Sequence, residues 1–433
     1  MNLKCFDSIV SLRLVVSLSL TVFAGAVHAA PAPGKAAAAS GEVRLVHNLG
    51  VERDAALQAL AQRFNESSKG FKVKVQQGGL TEGETAHMLI LDGEDSERFL
   101  SGKPRFKPLH AAMHEAGVPL RTLKPPPVLS RTAVDAKGQL RALPVGLSTP
   151  VLFVNRDVLG KAGLNPDAPL PTWTKLQQAL DKLFDAGGTC PYTVSQPARV
   201  MIENTSAWHN EPTAAMQGKI LQPSFNNMLQ VKHVALMASW HRARFMRIFE
   251  TDREAEERFV AGECSVIAAP SSNWAGFRRK AGFDIGIMPL PYHDDMFGSP
   301  QNTLADGATL WFAAGKQKAE YKAMAAFVDF WLQPPNQIAW QLESGYLPLN
   351  RAGFFAAQSD LLGGDLANVQ VAVSQLTNKP ATAQSSAAAA IGGARVIGIV
   401  DAALRDVWAE RKPAKLALDE AVMAARVPVP KGK

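Results

Sequence analysis

Apolar and polar positions alternate over residues 42–47, where Val43, Leu45 and His47 fall on one side, the period of a half-buried strand. From residue 54 the spacing changes. Leu57, Leu60 and Phe64 recur at helical intervals through residue 66, an amphipathic stripe for which Asp54 is the expected N-cap. Residues 71–75 alternate again, and residues 88–91 are a short unbroken apolar run. The chain therefore opens strand, helix, strand, strand, in the manner of a parallel α/β unit.

Residues 142–155 form a long apolar stretch interrupted by Pro144 and Gly146. A strand that leaves one lobe and enters another has this pattern. Thr172 is placed to cap a helix carrying Leu176, Leu180, Leu183 and Phe184, which Gly187-Gly188 ends. Residues 230–249 read as a second amphipathic helix, 254–261 as a short helix, 264–269 as a strand, and 283–290 as a strand ending at Pro289 in a return crossing. A loop and strand over 300–314 precede a helix at 321–332 whose core face is Met324, Phe327, Phe330 and Trp331; further helices are expected at 336–342, 396–411 and 415–426, and there is no internal repeat. Two α/β lobes joined by more than one crossing make a hinged clamp, with the ligand cleft between the lobes. The expected division is 41–147 plus 291–340 for lobe 1 and 148–290 plus 341–433 for lobe 2.

The ends place this clamp outside the cytoplasm. Lys4 and Arg13 precede an apolar run from Leu14 to Ala26, and Val27-His28-Ala29 offers small residues for cleavage. This is an export signal cut near Ala29. The alternative, a membrane anchor, needs a span of roughly 20 apolar residues, longer than this run. Cys5 lies before the apolar run and is lost with the leader, so it is not a lipoprotein cysteine. Residues 30–40 are rich in Ala, Pro, Gly and Ser and read as a flexible tether. About 400 residues then remain, more than one ordinary core accommodates.

The formal net charge of +7 becomes +6 when Lys4, Arg13 and Asp7 leave with the leader. Mild basicity suits an anionic ligand without deciding function. No Lys/Arg block is interleaved with aromatics, which argues against nucleic acid. The pair Cys190 and Cys264 remains. In an exported chain an even pair suggests a disulfide, the alternative being two buried thiols. Gly-x-Ser-x-Gly, His-Glu-x-x-His and Cys-x-x-Cys are all absent, so neither a nucleophile–base pair nor a zinc site is expected, and no enzyme or cofactor is read here. His47, His209 and His233 lack metal-ligand spacing, and Asp92-Gly93-Glu94-Asp95 lacks the twelve-residue calcium-loop pattern.

Several motifs keep a common order. They are Leu60-Ala61-Gln62-Arg63-Phe64-Asn65, Ser148-Thr149-Pro150-Val151-Leu152, Asn155-Arg156-Asp157, Pro171-Thr172-Trp173, Glu203-Asn204-Thr205-Ser206-Ala207-Trp208, Gly262-Glu263-Cys264, Asp306-Gly307-Ala308-Thr309-Leu310-Trp311, Ser344-Gly345-Tyr346-Leu347-Pro348, Asn378-Lys379-Pro380 and Ile399-Val400-Asp401. Over residues 41–426 the chain resembles the periplasmic solute-binding proteins of ABC importers, and within them the glycerol-3-phosphate-binding branch. The resemblance implies a type II two-lobed α/β clamp, a small-molecule ligand, an inner-membrane ABC permease as partner, and a monomer. A sugar- or oligosaccharide-binding protein, and a sensory protein signalling to a membrane receptor, share the same motifs.

The implied ligand residues are Ser148, Gly307 and Tyr346, with Ser271, Trp208 and Arg395 as further candidates. A serine hydroxyl donates or accepts, a glycine lets the backbone approach an anion, and a phenol bonds a phosphate or hydroxyl. Each has a structural alternative, such as a turn cap, a plain turn glycine or a packed core ring. The chain departs from the family pattern at Leu80 for a tyrosine, Gln196 for a stacking tryptophan, Pro270 for a serine, and Ile397 for an arginine that Arg395 precedes by two residues; Asp92 and Glu94 flank the position expected to be glutamate. Without the arginine the expectation is weak capture of glycerol-3-phosphate, leaving a related polyol phosphate, a glycerophosphodiester or a sugar.

Overall fold

The computed structural model describes residues 41–79, 85–91, 93–100, 105–118, 120, 133–135, 137–217, 220–347, 365–384 and 393–426. Leu80, Asp92, Pro348, the leader and the tether lie outside them, and of Glu94 only the backbone is described. No helix among the described residues is long and apolar enough to cross a membrane.

Two open sheets organise the chain. In the first, β1 (Gly41–His47) lies parallel between β2 (Phe71–Gln77) and β3 (Met88–Leu91). On the other side of β3, β12 (Thr309–Ala313) runs antiparallel and carries β4 (Phe106–Lys107) and β5 (Leu143–Pro144). In the second, β6 (Pro150–Asn155) sits antiparallel between β10 (Val266–Pro270) and β11 (Ile285–Met288), and β7 (Tyr192–Val194) extends β10 in parallel. A hairpin of β8 (Ala214–Gln217) and β9 (Ile220–Pro223) stands apart.

The apolar stretch at 142–155 is thus two strands in two sheets. β5 belongs to the first, β6 to the second, and Gly146, Leu147 and Ser148 make the crossing. All six residues of β6 are buried. Its alternate side chains serve two cores. Val151 and Phe153 join the cluster that includes Leu45, Ile90 and Leu310, whereas Leu152 and Val154 pack with Trp173, Leu180, Trp240, Val400 and Leu418. Period two along one strand therefore puts apolar residues on both faces of the second sheet, which explains why the segment reads as unbroken rather than alternating.

Helix boundaries differ from the sequence reading where a polar residue finds a tertiary partner. The first helix, Val51–Ser67, starts after Gly50, not at Asp54. The Asp54 carboxylate instead meets Nε2 of the buried His47 at 2.8 Å. Thr172 does cap the helix Trp173–Asp185, accepting from the Lys175 amide. Thr251 caps Asp252–Val260, and Asn227 and Gln230 close a capping box on Met228–Arg242. The π-helical turn Ala198–Asn204 has no counterpart in the sequence reading.

The helix Asp365–Leu376 fastens the crossings to one another. Gln375, 1% exposed, donates through Nε2 to the Pro150 carbonyl and accepts through Oε1 from the Leu290 amide, while its own carbonyl accepts from the Thr303 amide. One side chain and its backbone tie together the chain entering β6, the chain leaving β11 and the return segment.

Cys190 and Cys264 are joined, with Cα atoms 4.5 Å apart. Each lies two residues ahead of a strand, β7 and β10, and these strands are parallel neighbours, so their starting ends coincide in space. The Ser265 amide donates to the Cys190 carbonyl beside the bond. Across the separation of 74 residues the chain-entropy estimate is about 4 kcal/mol. Replacing both cysteines by serine should lower the melting temperature accordingly, and mass spectrometry of the exported protein without reductant should show no alkylatable thiol. Two freely alkylated cysteines would contradict the pairing.

Candidate functional site

Four of the six sequence-predicted ligand residues converge where the first crossing passes the return segment. Ser148 forms a backbone pair with Asp306, each amide donating to the other's carbonyl at 2.7 and 2.8 Å. Gly307 follows with φ +145°, a conformation that side-chain-bearing residues rarely adopt; a Cβ there would stand 2.1 Å from the Gly146 carbonyl oxygen. Its amide donates to the Asp306 carboxylate at 2.8 Å. A Cβ on Gly146 would meet the Tyr346 ring at 2.5 Å. Two glycines therefore let three segments touch with no methyl group between them.

Serines continue the cluster. Ser148 Oγ lies 3.3 Å from Ser271 Oγ and accepts from the Ser272 amide at 3.1 Å. Ser271 Oγ accepts from the Thr149 amide, and the Ser271 carbonyl accepts from Asn368 Nδ2. Ser148, Ser271 and Ser272 are all buried. Although Pro270 stands where the resemblance implies a serine, hydroxyls occupy the next two positions, just past β10 and directly against the crossing.

Tyr346 is 7% exposed and packs against Trp340 on one side. The guanidinium of Arg53 lies over its ring, 4.7 Å from the centroid. Arg53 belongs to the first turn of the helix Val51–Ser67. It donates through Nε to the Ser344 carbonyl and through Nη2 to the Ser272 carbonyl, each at 3.2 Å. It joins the first-sheet half of the molecule to the end of β10. Beside it opens a cavity of about 240 Å³ lined by Gly50, Arg53, Glu256, Ser272, Asn273 and Ser344 among others. A second, 20 Å³ cavity lies against Tyr346, Gln341 and Asn368. The buried Gln341 Oε1 and Asn368 Oδ1 accept no hydrogen bond there, and the space suits one water-sized donor.

Carboxylates face the same region. Burial raises Glu256 above the usual carboxylate range, against the lowering effect of hydrogen bonds from Ser195 and Asn273. Burial likewise raises Asp252, which accepts from the Gln196 amide. Arg199, in the π-helical turn, pairs with Glu203 at 3.1 Å and Asp306 at 3.2 Å.

Trp208 and Arg395 are not brought to this cluster. Trp208 is buried in the second core, and its indole N–H donates to the Leu290 carbonyl at 3.0 Å. Arg395 is exposed and donates to the carbonyls of Ala424 and Ala425, near the C-terminus of the helix Ala414–Arg426, where a cation is favoured. Ile397 is 6% exposed within the second core, so the position at which the resemblance implies an arginine here serves packing. Sequence reasoning missed Arg53 because nothing local to it signals a contact with residues 272 and 344.

Comparison with known proteins fits this architecture. The family model for bacterial extracellular solute-binding proteins matches residues 102–353. The chain belongs to this family. It is 31% identical, over 88% of its length and 90% of the relative's, to the sn-glycerol-3-phosphate-binding periplasmic protein UgpB of Yersinia enterocolitica. A similar protein of the same name from Salmonella typhimurium is 30% identical over 87% of this chain and 90% of that one. Among solved structures, UgpB from Mycobacterium tuberculosis in complex with glycerophosphocholine superposes with a TM-score of 0.70 at 18% identity, covering 89% of this chain and 98% of that one. A Thermotoga lettingae ABC-transporter solute-binding protein bound with α-D-tagatose gives 0.71 at 16% identity, covering 90% and 99%. The two sheets are the two lobes of this family's α/β clamp, and the Ser148–Gly307–Tyr346 cluster sits at their junction.

Among the described residues no group of His, Cys, Asp or Glu is arranged to hold a metal ion. Three histidines nevertheless meet beside Trp173 of the second core, a convergence not legible in their spacing. His233 Nδ1 lies 3.2 Å from His293 Nε2, and His209 Nε2 accepts from the His293 amide at 2.7 Å. Burial lowers His209 and His293 from 6.5 to about 4, and pushes His233 well below its ordinary value. Lys232 nearby lowers His209 and His293 further and Asp295 opposes it. Between pH 6.5 and about 4 the unfolded chain binds more protons at these sites than the folded one. Their contribution to stability is therefore complete at neutral pH and lost as pH falls through that window. The melting temperature should drop steeply between pH 7 and pH 4.5, and His293→Gln should flatten the profile. An unchanged melting temperature across this range would contradict the account.

Proposed function

We propose that this chain is the exported receptor subunit of an ABC importer. It captures a small hydroxylated, phosphate-bearing solute of the glycerol-3-phosphate or glycerophosphodiester class and delivers it to an inner-membrane permease, with no chemical step of its own. Supporting this most directly is the junction of Ser148, Ser271, Gly307 and Tyr346, a polar corner made of residues that the resemblance implies for the ligand, within a fold whose curated relatives are sn-glycerol-3-phosphate-binding periplasmic proteins. In this reading the leader is removed near Ala29, the mature protein acts as a monomer, and lobe 1 (41–147 plus 291–340) closes on lobe 2 (148–290 plus 341–433). A sugar ligand is the second reading, favoured by structural relatives bound to tagatose and maltose.

A ligand that binds only the folded state raises the melting temperature by mass action. Thermal-shift measurements with sn-glycerol-3-phosphate, glycerophosphocholine, tagatose and maltose separate the readings. A shift with a phosphorylated probe and none with the sugars is expected. A shift with sugars alone would replace this assignment by the second.

A further inference from the structure

The family's arginine is missing at position 397, and Arg395 is occupied at a helix end. A phosphoryl group bound in a cleft still needs a charged, multidentate donor. We propose that Arg53 is that donor, binding the anionic end of the solute in the cavity it lines with Ser272, Asn273 and Ser344. This rests on the reading of the chain as a receptor for a phosphate-bearing solute, and adds a residue that the family pattern does not supply.

Four observations carry it. First, Arg53 has no carboxylate within ion-pair distance among the described residues; it donates to two backbone carbonyls, those of Ser272 and Ser344. Among the described residues the charge of this half-buried arginine is therefore not compensated by a close anion. Second, it is held rigidly. The Tyr346 ring lies beneath the guanidinium and the two carbonyls fix its plane, so little rotamer freedom remains to be lost when a ligand binds. Third, the cavity beside it has further donors. Ser272, Asn273, Arg253 and Lys280 are in its wall, and so is Gly50, the N-cap of the 17-residue helix, which has no side-chain cap bond.

Fourth, the carboxylates in the wall are already engaged. Arg253 pairs with Glu257 at 2.8 Å, and Glu256 accepts from Ser195 and Asn273. Glu256 also feels Arg53 across the cavity, beyond ion-pair distance, so an incoming anion would compete with it for the guanidinium. Arg53 also connects to the polar corner through one residue. Ser272 gives its amide to Ser148 Oγ and its carbonyl to Arg53. The anion subsite and the hydroxyl-rich corner are thereby linked by hydrogen bonds through a single residue.

The test is isothermal titration of the mature protein and of Arg53→Gln, Arg53→Lys and Arg395→Gln with sn-glycerol-3-phosphate, at two salt concentrations, with inorganic phosphate as competitor. Arg53→Gln should weaken binding about ten- to a hundredfold, the loss of one charged hydrogen-bonding group. Arg53→Lys should recover part of it, and Arg395→Gln should bind as the unmodified protein does. Inorganic phosphate should compete, and the salt dependence should be shallower in Arg53→Gln than in the unmodified protein. If the unmodified protein binds the probe and Arg53→Gln stays within twofold, Arg53 is not the donor while the proposed function stands. If Arg53→Lys loses as much as Arg53→Gln and both melt at lower temperature, the residue is structural and the inference fails. If the unmodified protein binds neither phosphorylated compound, the inference and the phosphate-bearing reading fall together.

Discussion

Everything in this clamp depends on how closely the backbone can approach itself at the lobe junction. Gly146 and Gly307 touch along a line that no side chain could enter: a Cβ on one would collide with the Tyr346 ring, and a Cβ on the other with the Gly146 carbonyl. That proximity brings the strand passing from the first sheet to the second alongside the segment that returns. It also sets Tyr346 against both and places Ser148 within reach of the end of β10. A polar corner results from a steric constraint, and its residues lie far apart in sequence because the crossings do.

The junction is polar although it is buried. Ser148, Thr149, Ser271, Thr303 and Gln375 are all 6% exposed or less, and hydrogen bonds link them to one another and to crossing backbone. Thr149 Oγ1 donates to Thr303 Oγ1 at 2.7 Å across the two crossings. Buried polar groups left without partners are costly, whereas a fully paired network specifies one arrangement. Such a junction holds the register of the crossings. Arg53 lies beside this junction, held by one hydrogen bond to the Ser272 carbonyl just past β10 and one to the Ser344 carbonyl.

Much of the fold was legible because its signals are local. Alternation over 42–47, the helical stripe of Leu57, Leu60 and Phe64, and Thr172 ahead of Trp173 each mark an element through near neighbours. Even the crossing showed itself, because Pro144 and Gly146 break an apolar run. The site was half legible. Ser148, Ser271, Gly307 and Tyr346 converge, since each lies in a motif fixed by the crossings. Arg395 and Trp208 do not, because a two-residue offset on a helix turns a side chain away and because indole burial is decided by packing from remote helices. Arg53 was invisible for the converse reason. Its partners, Ser272 and Ser344, are more than two hundred residues away, and an arginine in the first turn of an amphipathic helix ordinarily signals only a solvated face. The same applies to His209, His233 and His293, whose meeting is a product of tertiary packing.

The proposed function requires that a small phosphate-bearing solute be held at this junction by both lobes. A crystal structure of the exported protein grown with saturating sn-glycerol-3-phosphate tests it most directly. The account predicts ligand density between the two sheets, within hydrogen-bonding distance of Arg53 and of the serine and tyrosine corner, with the Gly146–Gly307 contact unchanged. Density on an outer face, or a cleft without ligand at saturating concentration, would contradict it.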